Sequence, residues 1–472
     1  MPKEDACFGP AHELRDKIAR QEVTAAETCE MFIERIEKVN PVINAYCTPT
    51  FDIARAMARD ADARVRGGGA LPALNGIPAS IKDLMQTAGV RTTYGFKVLE
   101  HFVPAEDDVT VARLKAAGIV MLGKTNTPEF GFSGFTKNKL FGATLNPWRL
   151  DRTPGGSSGG AAASVASGMG PLALSSDGGG SIRHPACFCG VFGFKPTFGL
   201  VPIHPRTGIG GETITHYGPI TRYVRDAAMM LDAMKGPHDL DRHSLPDIGV
   251  RFEASITGLP RHVRIGWTTD LGWTKAIDPD VEKAVAAAVD KFTRHGWDVK
   301  EIKVKLKNPE PFYYTWTVSN TKYDNRERLK EWAKVMDPDL VRMASGEYTT
   351  CMEYIRCTDK RRLFYGDMIG IYKAHDIDIL VTPTTASTAF GLDVMFPPAI
   401  DGKGVSPTGW MPYTFPFNLT GQPAATLPAG FSREGLSIGM QVIGKRLSDA
   451  LVMQVSKAFE DVAPWQDKRP DL

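Results

Sequence analysis

The N-terminal part of the chain has the hydrophobic spacing of two helices. After Thr24, a residue type suited to capping a helix, apolar side chains recur at Ile33, Ile36 and Val39, and Pro41 follows. This spacing predicts a helix that begins after Thr24 and is stopped by Pro41. Residues 51–66 predict a second helix, which the glycines at 67–69 end.

From residue 76 onwards, short apolar runs alternate with stretches of helical spacing. Strands are predicted at residues 76–82, 119–122, 171–174, 263–266, 376–381, 424–428 and 437–443. Helices are predicted at residues 109–117, 158–167, 225–234, 281–295 and 449–462. Such alternation is typical of an α/β protein, in which helices surround one large sheet.

The region from residue 308 to residue 374 departs from this alternation. It is rich in Tyr, Trp, Arg and Met and predicts mainly helices. We therefore expect one domain over residues 1–472, with a more variable, mainly helical lobe at about residues 300–375 that covers the functional site.

Composition and charge exclude several classes of partner. The chain of 472 residues has 56 Lys and Arg against 54 Asp and Glu, a net charge of +2, so neither nucleic acid nor an anionic membrane is expected as a partner. No run approaches the about 18 apolar residues of a membrane helix, and the N-terminus lacks the apolar core of a signal peptide. The 7 scattered cysteines predict reduced, mostly buried thiols and a cytoplasmic location.

Two familiar motifs are present but poorly supported. The segment from Gly118 to Thr125 matches the P-loop pattern, but its four middle residues are apolar and strand-like, which argues against phosphate binding. The segment from Gly155 to Gly159 fits the nucleophile elbow of an α/β-hydrolase with Ser157 as nucleophile. That alternative requires a catalytic histidine downstream, for which His375 is the candidate. The ten histidines show no metal-ligand spacing, so no metal site is expected.

Two glycine-rich segments that contain serines lie close together in the sequence. Ser157 lies in the first, and Ser181 follows three consecutive glycines in the second. Consecutive glycines allow tight turns in which several main-chain N–H groups point into one cavity, as an oxyanion hole requires. Lys82, at the end of an apolar strand, is the candidate base, because burial lowers the pKa of a lysine and favours its neutral form.

The sequence as a whole resembles the amidase signature family of Ser-cisSer-Lys amide hydrolases. The resemblance extends from near residue 10 to the C-terminus and is weakest at about residues 240–370. One departure is Ser175-Ser176, where many members have Gly-Thr. The matching segments are residues 76–83, 123–129, 146–148, 155–160, 177–185, 190–197, 218–220, 416–418 and 421–423.

The resemblance implies a role for each candidate site residue. Ser181 corresponds to the nucleophile that forms the acyl-enzyme, Ser157 to the proton-relaying serine after a cis peptide bond, and Lys82 to the base. No metal or organic cofactor is implied. The remaining implied residues are the oxyanion-loop residues Gly178, Gly179, Gly180 and Ser181, the acyl-pocket residue Gly131, and the loop-supporting pair Asp177 and Arg183.

The resemblance also implies the reaction, which is hydrolysis of a carboxylic amide or anilide, or of a carbamate or ester. A small-molecule substrate with an apolar or aryl part is expected from the aromatic residues, and residues 410–413 are a candidate gate. The main alternative is an amidotransferase A-type subunit that supplies ammonia to a partner; a binding protein without activity is a further class. A homodimer is left open. The aromatic residues in question are Phe312, Tyr313, Tyr314, Trp316, Trp410 and Tyr413.

Overall fold

The computed structural model describes residues 3–206 and 213–472. The strands are β1 (Tyr46–Pro49), β2 (Pro78–Lys82), β3 (Val120–Thr125), β4 (Lys137–Asn138), β5 (Gly142–Ala143), β6 (Leu172–Asp177), β7 (Phe192–Lys195), β8 (His216–Thr221), β9 (Arg264–Trp267), β10 (Asp298–Glu301), β11 (Ile379–Pro383), β12 (Ala399–Ile400), β13 (Lys403–Gly404), β14 (Ala424–Phe431) and β15 (Ser437–Ile443).

The α-helices are distributed along the whole chain. They are α1 (Lys3–Ala6), α2 (Ala11–Ala19), α3 (Ala25–Ile43), α4 (Phe51–Arg66), α5 (Val109–Ala116), α6 (Gly159–Ala166), α7 (Arg183–Cys189), α8 (Val224–Met234), α9 (Phe252–Ser255), α10 (Pro279–Asp290), α11 (Glu310–Trp332), α12 (Pro338–Ala344), α13 (Cys351–Ala374), α14 (Phe415–Thr420) and α15 (Asp449–Val462). Short 3₁₀ helices occur at Lys97–Leu99, Glu129–Gly131 and Lys291–His295.

One mixed sheet organises the fold. Within the described residues it has 11 strands in the order β1-β3-β2-β6-β8-β7-β14-β15-β11-β9-β10. Strand β2 is parallel to β3 and β6, and β9 is parallel to β10 and β11. The pairs β6–β8, β8–β7, β7–β14 and β14–β15 are antiparallel. The predicted α/β fold around one large sheet is confirmed.

The parallel pairing of β2 with β6 determines where the functional side chains meet. Ile81 lies opposite Leu174 in the register, so the two strands end at the same edge of the sheet. Lys82 is the last residue of β2, and Asp177 is the last residue of β6. Residues that are far apart in sequence are therefore brought together at the carboxyl ends of neighbouring strands.

Helix α3 extends beyond its predicted end. Thr24 caps it as predicted, through a capping box with Glu27, but the helix continues through Pro41 to Ile43. In the last turn a proline removes only one hydrogen bond, and fully buried Ile43 keeps that turn packed on the core. Asn44, in the left-handed conformation, then ends the helix.

Two central strands, β7 and β8, were absent from the predicted elements. Both contain glycine, and β8 also contains Pro219, which are residue types depleted in strands. The sheet explains Gly218, because a Cβ there would collide with the Phe194 carbonyl oxygen on the neighbouring strand. The close approach of β7 and β8 therefore requires glycine at position 218. Glycine is also a residue type that made β8 difficult to predict.

The region expected to be a helical lobe contains α11, α12 and α13. Helices α11 and α13 pack on each other, with the ring of Trp316 stacked on that of Tyr354 at 6.4 Å. Among the described helices, none combines the length and the apolar character that a bilayer span requires. Of the cysteines, Cys351 alone is exposed, and all are free thiols in the described part of the chain.

Candidate active site

Lys82 lies fully buried at the end of β2 and contacts three serine hydroxyls. Its Nζ is 2.7 Å from Ser157 Oγ, 2.8 Å from Ser158 Oγ and 3.0 Å from Ser176 Oγ. The hydroxyl of Ser158 donates to the Ser176 carbonyl at 3.2 Å, so it faces Lys82 as an acceptor. A neutral amine can therefore donate to Ser158 and accept a proton from Ser157.

The protonation state of Lys82 follows from its burial. Loss of hydration lowers the pKa of this lysine from 10.5 to about 7, although the Asp177 carboxylate opposes the change. About half of the lysine is then neutral at pH 7, whereas an exposed lysine would be almost wholly charged.

Ser157 is positioned by the glycine-rich segment that precedes α6. Gly155 has a φ of +81°, and the Gly156–Ser157 peptide bond is cis, as the resemblance implied. A Cβ at Gly156 would lie 2.7 Å from main-chain atoms of Gly134 and Phe135. Only glycine allows this approach, which places the next residue beside Lys82.

Ser181 follows a glycine loop that connects β6 to α7. Gly180 has a φ of +136°, and a Cβ there would collide with the ring of His184. Its N–H donates to Asp177 Oδ1 at 2.7 Å, so it is engaged within the loop rather than free as an oxyanion donor. In the described residues, the N–H groups of Gly178 and Gly179 have no intramolecular acceptor, and both residues line the cavity beside Ser181.

Asp177 and Arg183 form a buried ion pair at the base of this loop. Arg183 Nη2 is 2.8 Å from Asp177 Oδ1, and Nε is 2.9 Å from Oδ2. Burial by itself would raise the pKa of Asp177, but the charge and hydrogen bonds of Arg183 hold it well below its usual range. The guanidinium also donates to Asn418 Oδ1 and Gln441 Oε1, each at 2.6 Å.

A second network reaches the loop from the opposite side. Thr414 Oγ1 donates to the Gly179 carbonyl at 2.9 Å and lies 2.6 Å from His184 Nε2. The Gly179–Gly180 peptide is therefore held at its carbonyl by Thr414 and at its N–H by Asp177. Burial lowers the pKa of His184 to about 3, so this imidazole is neutral.

The candidate residues meet at a cavity of about 290 Å³. Ser157, Ser181, Gly131, Gly178 and Gly179 all line it. A Cβ at Gly131 would lie 3.2 Å from Ser157 Oγ, so this glycine leaves space directly beside the serine. Aromatic and polar side chains complete the wall, among them Tyr94, Phe130, Phe132, Tyr313, Thr317, Thr321, Arg206 and Arg328.

Most aromatic residues expected at the pocket lie elsewhere. Of the six, Tyr313 lines the cavity, whereas Phe312 and Trp316 are buried within the helical lobe and Tyr314 is exposed. Most of the expected gate at residues 410–413 is likewise buried in the hydrophobic core. Trp410 and Tyr413 are 2% and 0% exposed, and Trp410 packs on the rings of three buried residues. Of the four residues in the expected gate, Met411 alone lines the cavity.

The alternative motifs find no structural support. His375 ends α13 and does not line the cavity that contains Ser157. Lys124 lies within strand β3, where its ammonium donates to the Met85 carbonyl and to two threonine hydroxyls, rather than in a phosphate-binding loop. No cluster of metal-ligating side chains occurs among the described residues.

Four supporting residues escaped the sequence analysis. Ser158 and Ser176 complete the hydroxyl set around Lys82, and His184 and Thr414 hold the glycine loop. Ser158 could have been noticed from its place beside Ser157. Thr414 could not, because nothing in its local sequence indicates contact with a loop more than 200 residues away.

Comparison with known proteins agrees with this geometry. A family model described as Amidase matches residues 27–453. An acylamidase from Rhodococcus erythropolis is 36% identical, over 100% of this chain and 98% of its own. The A-type subunit of a glutamyl-tRNA(Gln) amidotransferase from Roseiflexus sp. (strain RS-1) is 35% identical, over 98% of this chain and 97% of its own.

Solved structures extend the comparison. A bacterial aryl acylamidase of the amidase signature family has a TM-score of 0.90 and 29% identity, with 98% of each chain covered. A 6-aminohexanoate cyclic dimer hydrolase, solved with its substrate, has a TM-score of 0.88 and 28% identity, over 98% of this chain and 99% of its own. The chain therefore belongs to the amidase signature family, and the resemblance noted in the sequence is confirmed.

Proposed function

We propose that the protein hydrolyses the C–N bond of a small-molecule carboxylic amide through an acyl-enzyme on Ser181. The observation on which this rests is the contact of 2.7 Å between Lys82 Nζ and Ser157 Oγ, at a cavity that Ser181 also lines. Family membership and the acylamidase relative support hydrolysis of amides as the reaction. Anilides, carbamates and esters have the same electrophilic carbonyl and are the related substrate classes.

Proton transfer begins at Lys82. Its neutral amine accepts the proton of Ser157, and Ser157 accepts that of Ser181, so that the Ser181 oxygen attacks the amide carbonyl. The relay then returns a proton to the leaving nitrogen as the C–N bond breaks. Water, deprotonated through the same relay, hydrolyses the ester formed on Ser181 and regenerates the hydroxyl.

The glycine loop stabilises the charge that develops on the carbonyl oxygen. We assign this task to the N–H groups of Gly178, Gly179 and Ser181, since the N–H of Gly180 is held by Asp177. Each such donor contributes about 3 kcal/mol to the transition state. Asp177 and Arg183 act as positioning residues, because their contacts fix the loop and do not reach the cavity.

The aromatic part of the cavity wall supports a preference for an apolar or aryl group on the substrate. Tyr94, Phe130, Phe132 and Tyr313 line the space around the two serines. Helix α11, from the helical lobe, forms one side of this cavity, which supports the proposal that the lobe covers bound substrate. Assembly as a homodimer remains a prediction, which light scattering of the purified protein tests.

Covalent labelling followed by peptide mapping tests the nucleophile. A fluorophosphonate is expected to modify Ser181, and Ser181→Ala is expected to abolish both labelling and release of 4-nitroaniline from 4-nitroacetanilide. Ser164→Ala is the matched control, because this buried serine donates to the Ala161 carbonyl within α6 and does not line the cavity. Near-normal turnover by Ser181→Ala, with an unchanged circular dichroism spectrum, contradicts the proposal.

An amidotransferase A-type subunit is the second candidate. Its support is the identity of 35% to the Roseiflexus sp. protein over 98% of this chain. Release of ammonia from glutamine by the isolated protein, with no hydrolysis of anilides, favours this candidate. Hydrolysis of anilides without glutaminase activity favours the acylamidase assignment.

A further inference from the structure

One wall of the cavity is a single face of helix α11. Tyr313, Thr317, Thr321, Asp324 and Arg328 line it, and their spacing of three or four residues places them in one row along the helix. Tyr313 lies at the oxyanion-loop end, where a Cβ at Gly179 would collide with its hydroxyl. The row therefore leads from the reacting serines towards Arg328.

The guanidinium of Arg328 is held in place yet keeps unused donors. It lies over the ring of Phe130, 4.2 Å from the centroid. Its Nη1 donates to the Asp324 carbonyl at 2.9 Å and to Asn325 Oδ1 at 3.1 Å. Arg328 lines the cavity, and in the described part of the chain its Nε and Nη2 have no hydrogen-bond acceptor and the side chain forms no ion pair.

Three other charged groups lie around this cavity, and within the described residues none forms an ion pair with Arg328. Arg206 also lines the cavity, but it is neutralised by Asp241, whose two carboxylate oxygens are each 3.2 Å away. Glu129 is buried beside Phe130, and burial raises its pKa to about 7, so it is only partly charged at neutral pH. Arg328 donates a hydrogen bond to the main-chain carbonyl of Asp324, and the Asp324 carboxylate also attracts the guanidinium electrostatically.

The position of Phe130 indicates which part of a substrate would reach this guanidinium. Phe130 directly precedes Gly131, where a Cβ would lie 3.2 Å from Ser157 Oγ. Gly131 matches the acyl side of the pocket in the resemblance, so the path from the scissile carbonyl past Gly131 to Phe130 follows the acyl chain.

We propose that Arg328 is a specificity-determining residue that binds a carboxylate at the remote end of the acyl part of the substrate. A planar guanidinium with two adjacent N–H donors matches the two oxygens of a carboxylate, and stacking on Phe130 fixes its plane. This inference rests on the proposed function of the same cavity. It names the substrate class as the amides of dicarboxylic acids, in which one carboxyl group is free.

Paired substrates test the inference. The probes are ω-carboxyacyl 4-nitroanilides from glutaryl to suberoyl, each with its methyl ester, and release of 4-nitroaniline is measured. The best carboxylate is expected to exceed its ester at least tenfold in kcat/KM. Arg328→Gln is expected to lower kcat/KM for the carboxylate, mainly through KM, at least tenfold more than for the ester.

A matched arginine on the same helix provides the control. Arg326 lies over the ring of Tyr323 and does not line the cavity. Arg326→Gln is therefore expected to leave both substrates unchanged, whereas Arg328→Lys is expected to restore part of the preference. Equal losses for carboxylate and ester in Arg328→Gln, or faster hydrolysis of the esters throughout the series by the wild-type protein, overturn the inference.

Binding without turnover separates this inference from the proposed reaction. In Ser181→Ala protein, calorimetry is expected to show tighter binding of the carboxylate than of its ester, and Arg328→Gln in that background is expected to remove the difference. Binding preference without hydrolysis in the wild type contradicts the proposed function alone. Hydrolysis without binding preference contradicts the role of Arg328 alone.

Discussion

Replacement of Lys82 by methionine is expected to abolish hydrolysis and, at neutral pH, to stabilise the fold. The folded-state pKa of Lys82 is about 7 and its ordinary value is 10.5. At pH 7 the unfolded chain therefore binds more protons, and burial of this lysine costs about 4 kcal/mol. Methionine removes that cost but leaves three serine hydroxyls without this partner, at about 1 kcal/mol each. The net gain is about 1 kcal/mol.

The sign of this effect is expected to reverse with pH. Because the folded pKa is lowered, the penalty is complete below pH 7 and disappears as pH rises through 10.5. Near pH 10 less than about 1 kcal/mol of the penalty remains, so Lys82→Met becomes the less stable protein by about 2 kcal/mol.

Urea unfolding followed by tryptophan fluorescence at pH 7, 8.5 and 10 measures the difference. The matched control is Lys137→Met, which makes the same substitution at an exposed lysine outside the site. An equal difference between Lys82→Met and wild type at pH 7 and pH 10 would refute the reasoning, because it would mean that Lys82 is charged in the folded protein throughout.

Three further predictions concern catalysis. The kcat/KM of the wild type is expected to rise about tenfold per pH unit below pH 7 and to level off above it, since neutral Lys82 is required; a profile that keeps rising to pH 10 contradicts a pKa of about 7. Gly180→Ala is expected to lower kcat at least about 100-fold, as its φ of +136° and the nearby His184 ring exclude a Cβ; near-normal kcat argues against a fixed loop. Thr414→Val is expected to lower kcat about tenfold with little change in KM, because the Gly179 carbonyl loses its donor; a change confined to KM contradicts this positioning role.

Local sequence patterns predicted a helix correctly where its bounds depend on residues within the helix and next to it. Helix α4 has the predicted bounds of 51–66 and α15 those of 449–462, because each amphipathic run is soon followed by glycines 67–69 or by Pro464, which disfavour a further helical turn. Strand β8 was not predictable in this way. Its Gly218 and Pro219 are unfavourable in an isolated strand, and pairing with neighbours on both sides compensates.

The candidate site shows the same contrast between residues that have a local sequence signal and residues that do not. Lys82, Ser157 and Ser181 were selected from short motifs, and the structure brings Lys82 to Ser157 and both serines to one cavity. Most of the aromatic residues named for the pocket were the wrong ones, because composition shows that aromatic residues are present but not whether each faces the core or the cavity. Arg328 had no distinguishing local signal, since its neighbours on α11 are also charged.

The contacts of Arg183 have a consequence for how the chain becomes functional during synthesis. The acceptors of its guanidinium, Asn418 and Gln441, lie in the last sixty or so residues of the chain. A nascent or truncated polypeptide that ends before residue 418 already contains every serine of the relay but lacks both acceptors of Arg183, together with strands β14 and β15 of the central sheet. Such a fragment is expected to remain inert until the missing C-terminal portion is supplied, either on the same chain or as a separate peptide.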